Sequence, residues 1–314
     1  MMHIPFFEEL ATAKKILISG AGGGFDIFGS LPLFYYLRAL KKEVALASYS
    51  FTDLTQIEAD FINEHCTIIT HETAPPREYF YFPEKIMADW FFLEENIEIP
   101  IYTIKKVGPK LLRETYEEIY DGFSFDIIIL VDGGTDSLLR GDEQKIGTFY
   151  EDVTSIVAVD NLNVENPYKS FLAVIGMGVD VYHGVSNYDV LKAIAHLIKN
   201  GGFLGSLSLT KEMDSIRKYI SLVEYANKKL PHEKTIVHNS IKDAISGKFG
   251  NYHSTDRTKG SKLFINPLMA QMWFFNLYHV VSRLPYAAEL SEATTLDEVE
   301  DIIQNFRQSK NLNP

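Results

Sequence analysis

The chain has 314 residues, 46% of them hydrophobic, and a formal net charge of −12, enough for one large α/β domain or two modest ones. An excess of 42 Asp+Glu over 30 Lys+Arg excludes broad duplex nucleic-acid binding, which needs a dense cationic face to neutralise phosphates. The lone cysteine, Cys66, excludes an intrachain disulfide and reads as a buried thiol in a reducing compartment.

The opening Met1-Met-His-Ile-Pro-Phe-Phe-Glu-Glu9 lacks the basic start and apolar stretch of a signal peptide. No apolar run approaches the ~18–20 residues of a bilayer span. A soluble cytoplasmic protein, without membrane or nucleic-acid partners, is expected. Residues 15–19 form an apolar β-type run, and 27–40 carry a helical stripe (Phe28, Leu31, Phe34, Tyr35, Leu37, Leu40). Residues 43–49 and 66–70 read as strands, 71–82 with Pro75-Pro76 as a loop, 83–94 as a helix, 99–104 as a strand and 109–120 as a helix. Residues 125–131 are nearly all β-branched or apolar, the composition of a strand buried on both faces of a parallel sheet.

Residues 148–162 read two ways. Ser155–Val159 alone resembles a strand, but Thr148-Phe-Tyr-Glu151 is a capping-box pattern, and a helix is predicted. Residues 171–175 and 203–209 are strands around a helix at 188–199. Beyond about residue 210 the pattern turns helical, over 211–229, 240–247, 267–282 and 296–307. The last is opened by a second capping box, Thr295-Leu-Asp-Glu298. The expected fold class is α/β: a Rossmann-like, doubly wound, mostly parallel sheet over 1–210. A mainly helical C-terminal region, 211–314, would pack on it within one compact domain.

Four segments carry chemistry. After the first strand comes Gly20-Ala-Gly22-Gly-Gly24-Phe-Asp26, a place where bare N–H groups and a helix start receive anionic molecules. It is not a dinucleotide fingerprint. In either frame the third glycine would fall on Phe25 or Ile27, and the second strand ends in Ser48-Tyr-Ser50 without a ribose-binding acid. NAD is therefore disfavoured, and no P-loop is present. Gly22, Gly23 and Gly24 read as a ligand loop, and Asp26 as either an N-cap or a site residue. The second segment is Asp132-Gly-Gly-Thr135-Asp136-Ser-Leu-Leu-Arg140-Gly-Asp142-Glu143, at the tip of the most apolar strand. Asp132 and Asp136 are the first candidates for general base or metal ligand, Asp142 and Arg140 the second, and Gly133 and Gly134 would let a ligand approach.

The third segment, Gly176-Met-Gly178-Val-Asp180-Val-Tyr-His183, repeats the strand–glycine–acid order and would reach the same rim. Asp180 and His183 are spaced for a metal pair, although a hydrogen-bonding role for His183 ranks first. The fourth, Gly250-Asn-Tyr-His253-Ser-Thr255-Asp-Arg257-Thr-Lys259, is the densest cationic stretch. His253 is a candidate catalytic residue, and Thr255 and Arg257 are candidates for anchoring a phosphate or carboxylate. Serine-hydrolase elbow, zincin and C-x-x-C patterns are absent.

Together, Gly22-Gly-Gly-Phe-Asp26, Asp132-Gly-Gly-Thr-Asp136 with Gly141-Asp-Glu143, and Tyr252-His-Ser-Thr255 running into Gly260-Ser-Lys-Leu-Phe-Ile-Asn-Pro-Leu-Met269 resemble the domain of unknown function 1152 family. This is an uncharacterised group of bacterial and archaeal proteins. The resemblance runs from about residue 15 to 283. Phe25 departs from the family's glycine run, which implies a bulkier first loop and a narrower pocket. The resemblance implies a shared site but no named reaction. The expectation is an enzyme, a hydrolase or transferase, acting on a small phosphate- or carboxylate-bearing metabolite with Mg²⁺ or Mn²⁺ held by Asp26, Asp132, Asp136 and Asp142. The alternative is a non-enzymatic nucleotide or metabolite sensor; either could assemble as a homo-oligomer. A binuclear-metal hydrolase of the arginase type is a weaker analogy, since the chain has Phe25 where that loop carries a histidine.

Overall fold

The apolar run Lys15–Gly20 (β1) lies near the middle of a sheet because it has a core on each side. Its side chains alternate, Ile16 and Ile18 entering one apolar cluster with Phe28, Phe34 and Trp90, and Leu17 the other with Tyr116, Val153 and Ile156. Ile127–Asp132 (β6) behaves alike: Ile127, Ile129 and Val131 face the first cluster, and Ile128 and Leu130 the second. Such strands lack an amphipathic pattern because neither face meets water. These observations come from a computed structural model that describes residues 3–312.

The remaining strands are Glu43–Tyr49 (β2), Phe61–Asn63 (β3), Cys66–Ile69 (β4), Ile101–Ile104 (β5), Lys169–Ile175 (β7), Phe203–Ser208 (β8) and Gln271–Asn276 (β9). Among the described residues they form one 9-stranded sheet ordered β3-β4-β5-β2-β1-β6-β7-β9-β8. The central β5-β2-β1-β6-β7 block is parallel, and both flanks are antiparallel. The protein is thus a mixed α/β fold with a mostly parallel sheet and helices on both faces. Strand order reverses between β1 and β6, since the chain leaves β1 for β2 on one side and returns to β6 on the other. That reversal leaves a crevice at the carboxyl ends of β1 and β6, where open α/β sheets take ligands.

Most elements fall where the periodicity placed them, including the helix Phe149–Asp160. Its expected capping box is not formed. Thr148 makes no side-chain cap, because its N–H and hydroxyl both turn to Asp136. The box at Thr295 and Glu298 is complete.

The C-terminal region departs from the helical expectation. Within 267–282, β9 inserts between β7 and β8, antiparallel to each. Met272 and Phe274 enter one core and Phe275 the other, so an all-apolar run hides a period of two. The boundary drawn at 210 therefore cuts through the sheet. No helix of the described residues is long and apolar enough to cross a membrane.

Candidate functional site

The crevice opens into a cavity of about 490 Å³. Asp26, Asp132, Asp136, Asp152 and Asp180 all line it, with Arg257, His183 and Tyr81 around them.

Each acid is placed by a short-range device. Asp26 begins a 3-10 turn, Asp26–Ser30, rather than capping it. It instead folds back, accepting the Gly22 N–H at 2.7 Å. Asp132 ends β6 and accepts the Ser137 hydroxyl. One oxygen of Asp136 takes the Thr148 N–H at 2.7 Å and its hydroxyl at 3.1 Å. One oxygen of Asp180 takes the Thr135 N–H at 2.7 Å and its hydroxyl at 3.0 Å. Asp152 sits in the first turn of its helix, and its Oδ1 is buried without a hydrogen-bond partner.

The glycine loop is what lets these acids meet. A Cβ on Gly22 would lie 2.2 Å from Asp152 Oδ1 and 2.8 Å from Asp26 Oδ2. The loop is clamped from both sides. Ser155 donates to the Ala21 carbonyl at 2.6 Å, and His238 Nε2 meets the Phe25 carbonyl at 2.7 Å. Gly22→Ala is therefore expected to keep the fold while forcing the acids apart. Divalent-cation affinity, read by calorimetric titration, should fall by about tenfold or more.

Burial sets the electrostatics. It pushes Asp26 up to about 7, with Asp136 and Glu151 adding repulsion after the Gly22 and Gly133 N–H groups have pulled the other way. Burial, and then the neighbouring carboxylates, raise Asp132, Asp152 and Asp180 well above the ordinary carboxylate range. Burial raises Asp136 as well. Without a cation the cluster must hold protons. Asp26 binds its proton more tightly folded than unfolded, where its value is near 3.8. The folded state thus binds the extra proton between about 4 and 7, and stability rises on acidification through that window. Thermal unfolding in EDTA should show a melting temperature that increases from pH 8 to pH 6. A melting temperature that falls on acidification in EDTA contradicts this placement of Asp26, and a cation taking the protons' place would flatten the slope.

Ligand atoms of Asp26, Asp132 and Asp152 all lie within 4.8 Å of one another, the spacing of oxygens around one hard cation. This set differs from the expected one. Asp136 lines the cavity but stands outside the three. Asp142 lies elsewhere, beside Arg140 at 3.8 Å. His253 also falls outside the cavity; its ring meets Asn251 and Thr258. The Thr255 hydroxyl caps the short turn Asp256–Thr258 instead of facing the cavity. Gly176 and Gly178, both at positive φ, shape the turn that delivers Asp180 but do not line the cavity, nor does Gly134. Gly22, Gly23, Gly24, Gly133 and Arg257 do line it. Arg257 is exposed at the rim, with Nη1 donating to the Lys234 carbonyl at 3.1 Å.

Sequence reasoning missed Asp152 and His238. The signal for Asp152 was the paired Glu151-Asp152 at the start of a helix that faces the acidic loop. For His238, one of several polar residues in the helix Ile236–Ile245, there was none.

The family described as Protein of unknown function (DUF1152) matches residues 17–313. The chain belongs to this family. The DUF1152 match covers the glycine loop, all five cavity aspartates and Arg257, so the whole crevice lies inside the shared domain. Among curated proteins and among solved structures no match to this DUF1152 chain is found.

Proposed function

We propose that the cavity is the active site of a hydrolase or transferase that acts on a small phosphate- or carboxylate-bearing metabolite. Asp26, Asp132 and Asp152 would hold Mg²⁺ or Mn²⁺, and Arg257 would anchor the anion. The observation that carries this reading is the buried, unpartnered Asp152 Oδ1 within reach of two other carboxylates. A buried acceptor without a donor is costly, and a cation shared by three acids removes that cost together with their repulsion. A bound cation would polarise a phosphoryl or carboxyl oxygen and acidify a bound water. Asp136, with Oδ2 held by Thr148, keeps its other oxygen for proton transfer. The strand-order reversal supports calling the sheet Rossmann-like, and the lone buried thiol of Cys66 supports a reducing, cytoplasmic setting.

The test is a thermal-shift screen of phosphate- and carboxylate-bearing metabolites with Mg²⁺, Mn²⁺ or EDTA, followed by ³¹P NMR for turnover of any phosphorylated hit. A shift and turnover that need the metal support the enzyme. A nucleotide shift that is equal in EDTA, persists in Arg283→Gln and comes without turnover refutes it in favour of a sensor.

A further inference from the structure

Arg140, grouped by sequence with the acidic loop, opens instead onto a second hollow. This one, of about 510 Å³, is lined by Arg140, His196, Tyr278, His279, Ser282 and Arg283, with Asn200 beside them. Among the described lining residues there is no carboxylate, in a chain of net charge −12.

Arg283 is the unusual member. It is only 9% exposed, yet its Nε and Nη1 are buried without a hydrogen-bond partner. Its backbone carbonyl accepts Arg140 Nε at 3.1 Å, which holds the two guanidinium-bearing chains side by side. The nearby acids, Glu143 and Asp142, act on Arg283 through charge but give its Nε and Nη1 no hydrogen bond. Both Glu143 oxygens are engaged by the N–H groups of Arg140 and Gly141, and Asp142 reaches Arg140 only at 3.8 Å. Burial brings Arg283 down to about 10, with Glu143 opposing and Arg140 reinforcing the fall. Burial, then Arg283, Arg140 and Lys199, hold His196 below its ordinary value. At His196 three cations act in the same direction as burial, whereas at Arg283 both Glu143 and Asp142 oppose it. An adjoining hollow shares Arg140, His196 and Arg283 but adds Asp142, Glu143 and Asp189, so an anion is favoured on the acid-free side.

We propose that the acid-free hollow is a second anion site, which binds a small phosphate-bearing molecule on the Arg140–Arg283 pair. Two guanidinium forks with two imidazoles offer more donors than the two oxygens of a carboxylate can use, and suit the three terminal oxygens of a phosphate. The space exceeds one phosphate group, and Tyr278 stands 63% exposed at its edge, leaving room for an organic portion. This site shares no lining residue with the aspartate cavity and does not depend on the function proposed for it.

The test is calorimetric titration of the full chain in EDTA, which keeps divalent cations out of the aspartate cavity, with inorganic phosphate and with AMP. The wild type should bind at least one of them; tighter AMP points to a metabolite site and tighter inorganic phosphate to a free-ion site. Arg283→Gln should weaken binding by about tenfold or more. Ser282→Glu, on an exposed residue whose replacement spares the core, should do the same by placing a carboxylate in the hollow. Asp152→Asn should leave the affinity unchanged. No binding by the wild type, or undiminished binding by either Arg283→Gln or Ser282→Glu, overturns the proposal.

Discussion

Replacing Asp132 with Asn is expected to make the cation-free protein more stable while it weakens divalent-cation binding. Asp132 is 3% exposed, at the tip of β6. Its charged form is disfavoured first by burial, then by Asp136, Asp26 and Asp180. An asparagine keeps the shape and can still accept from Ser137, but it carries no charge to desolvate or repel. The expected gain in denaturant unfolding in EDTA is about 1–2 kcal/mol, the scale on which relaxing a functional site stabilises a protein. Titration with Mn²⁺ should show affinity reduced by about a hundredfold, because one of three anionic ligands is gone. An acid kept only for structure would behave oppositely, with stability falling and no metal to lose. Asp152→Asn should repeat the pattern, since its Oδ1 has no protein donor to forfeit.

The second large effect lies away from the acids. His238→Ala should destabilise the fold by about 3 kcal/mol, the cost of a cavity plus two unpaired buried groups. The imidazole is fully buried, and Tyr219 Oη lies 2.7 Å from Nδ1 while the Phe25 carbonyl lies 2.7 Å from Nε2. Burial drives its pKa down to about 4, opposed by the Phe25 hydrogen bond, so the ring is neutral at physiological pH. Nε2 then donates to Phe25 and Nδ1 accepts from Tyr219. The ring packs between Phe28 and Tyr219, with centroids at 5.7 Å from each. Because Phe25 directly precedes Asp26, releasing its carbonyl also loosens the loop, and cation affinity should fall with stability. His238 is thus a positioning residue. His238→Gln, whose amide can still donate to Phe25, should recover cation affinity more fully than it recovers stability.

How much was legible in the sequence follows from where each signal lay. Ile127 to Val131 followed by Asp132 is a local pattern, a buried strand ending in an acid, and it marked the rim directly. Asp26 and Asp180 were found the same way, as acids closing glycine turns after β1 and β7. Asp152 was not, because its contribution depends on how the helix Phe149–Asp160 docks against the glycine loop through Ser155 and Ala21. Asp142 and Arg140 were grouped with Asp132 by proximity in sequence. The 3-10 turn Asp136–Leu138 then carries the chain away from the rim, and Arg140 meets Arg283, from the far end of the chain, instead. β9 was read as helix because Met272, Trp273, Phe274 and Phe275 serve both faces of the sheet and show no alternation.

The most direct measurement is the anomalous difference density of Mn²⁺ in crystals grown with that ion. A single strong peak ligated by oxygens of Asp26, Asp132 and Asp152 is the expected result, and it should weaken in Gly22→Ala. An empty cavity at millimolar Mn²⁺, or a manganese bound elsewhere while the three acids keep their cation-free positions, contradicts the account.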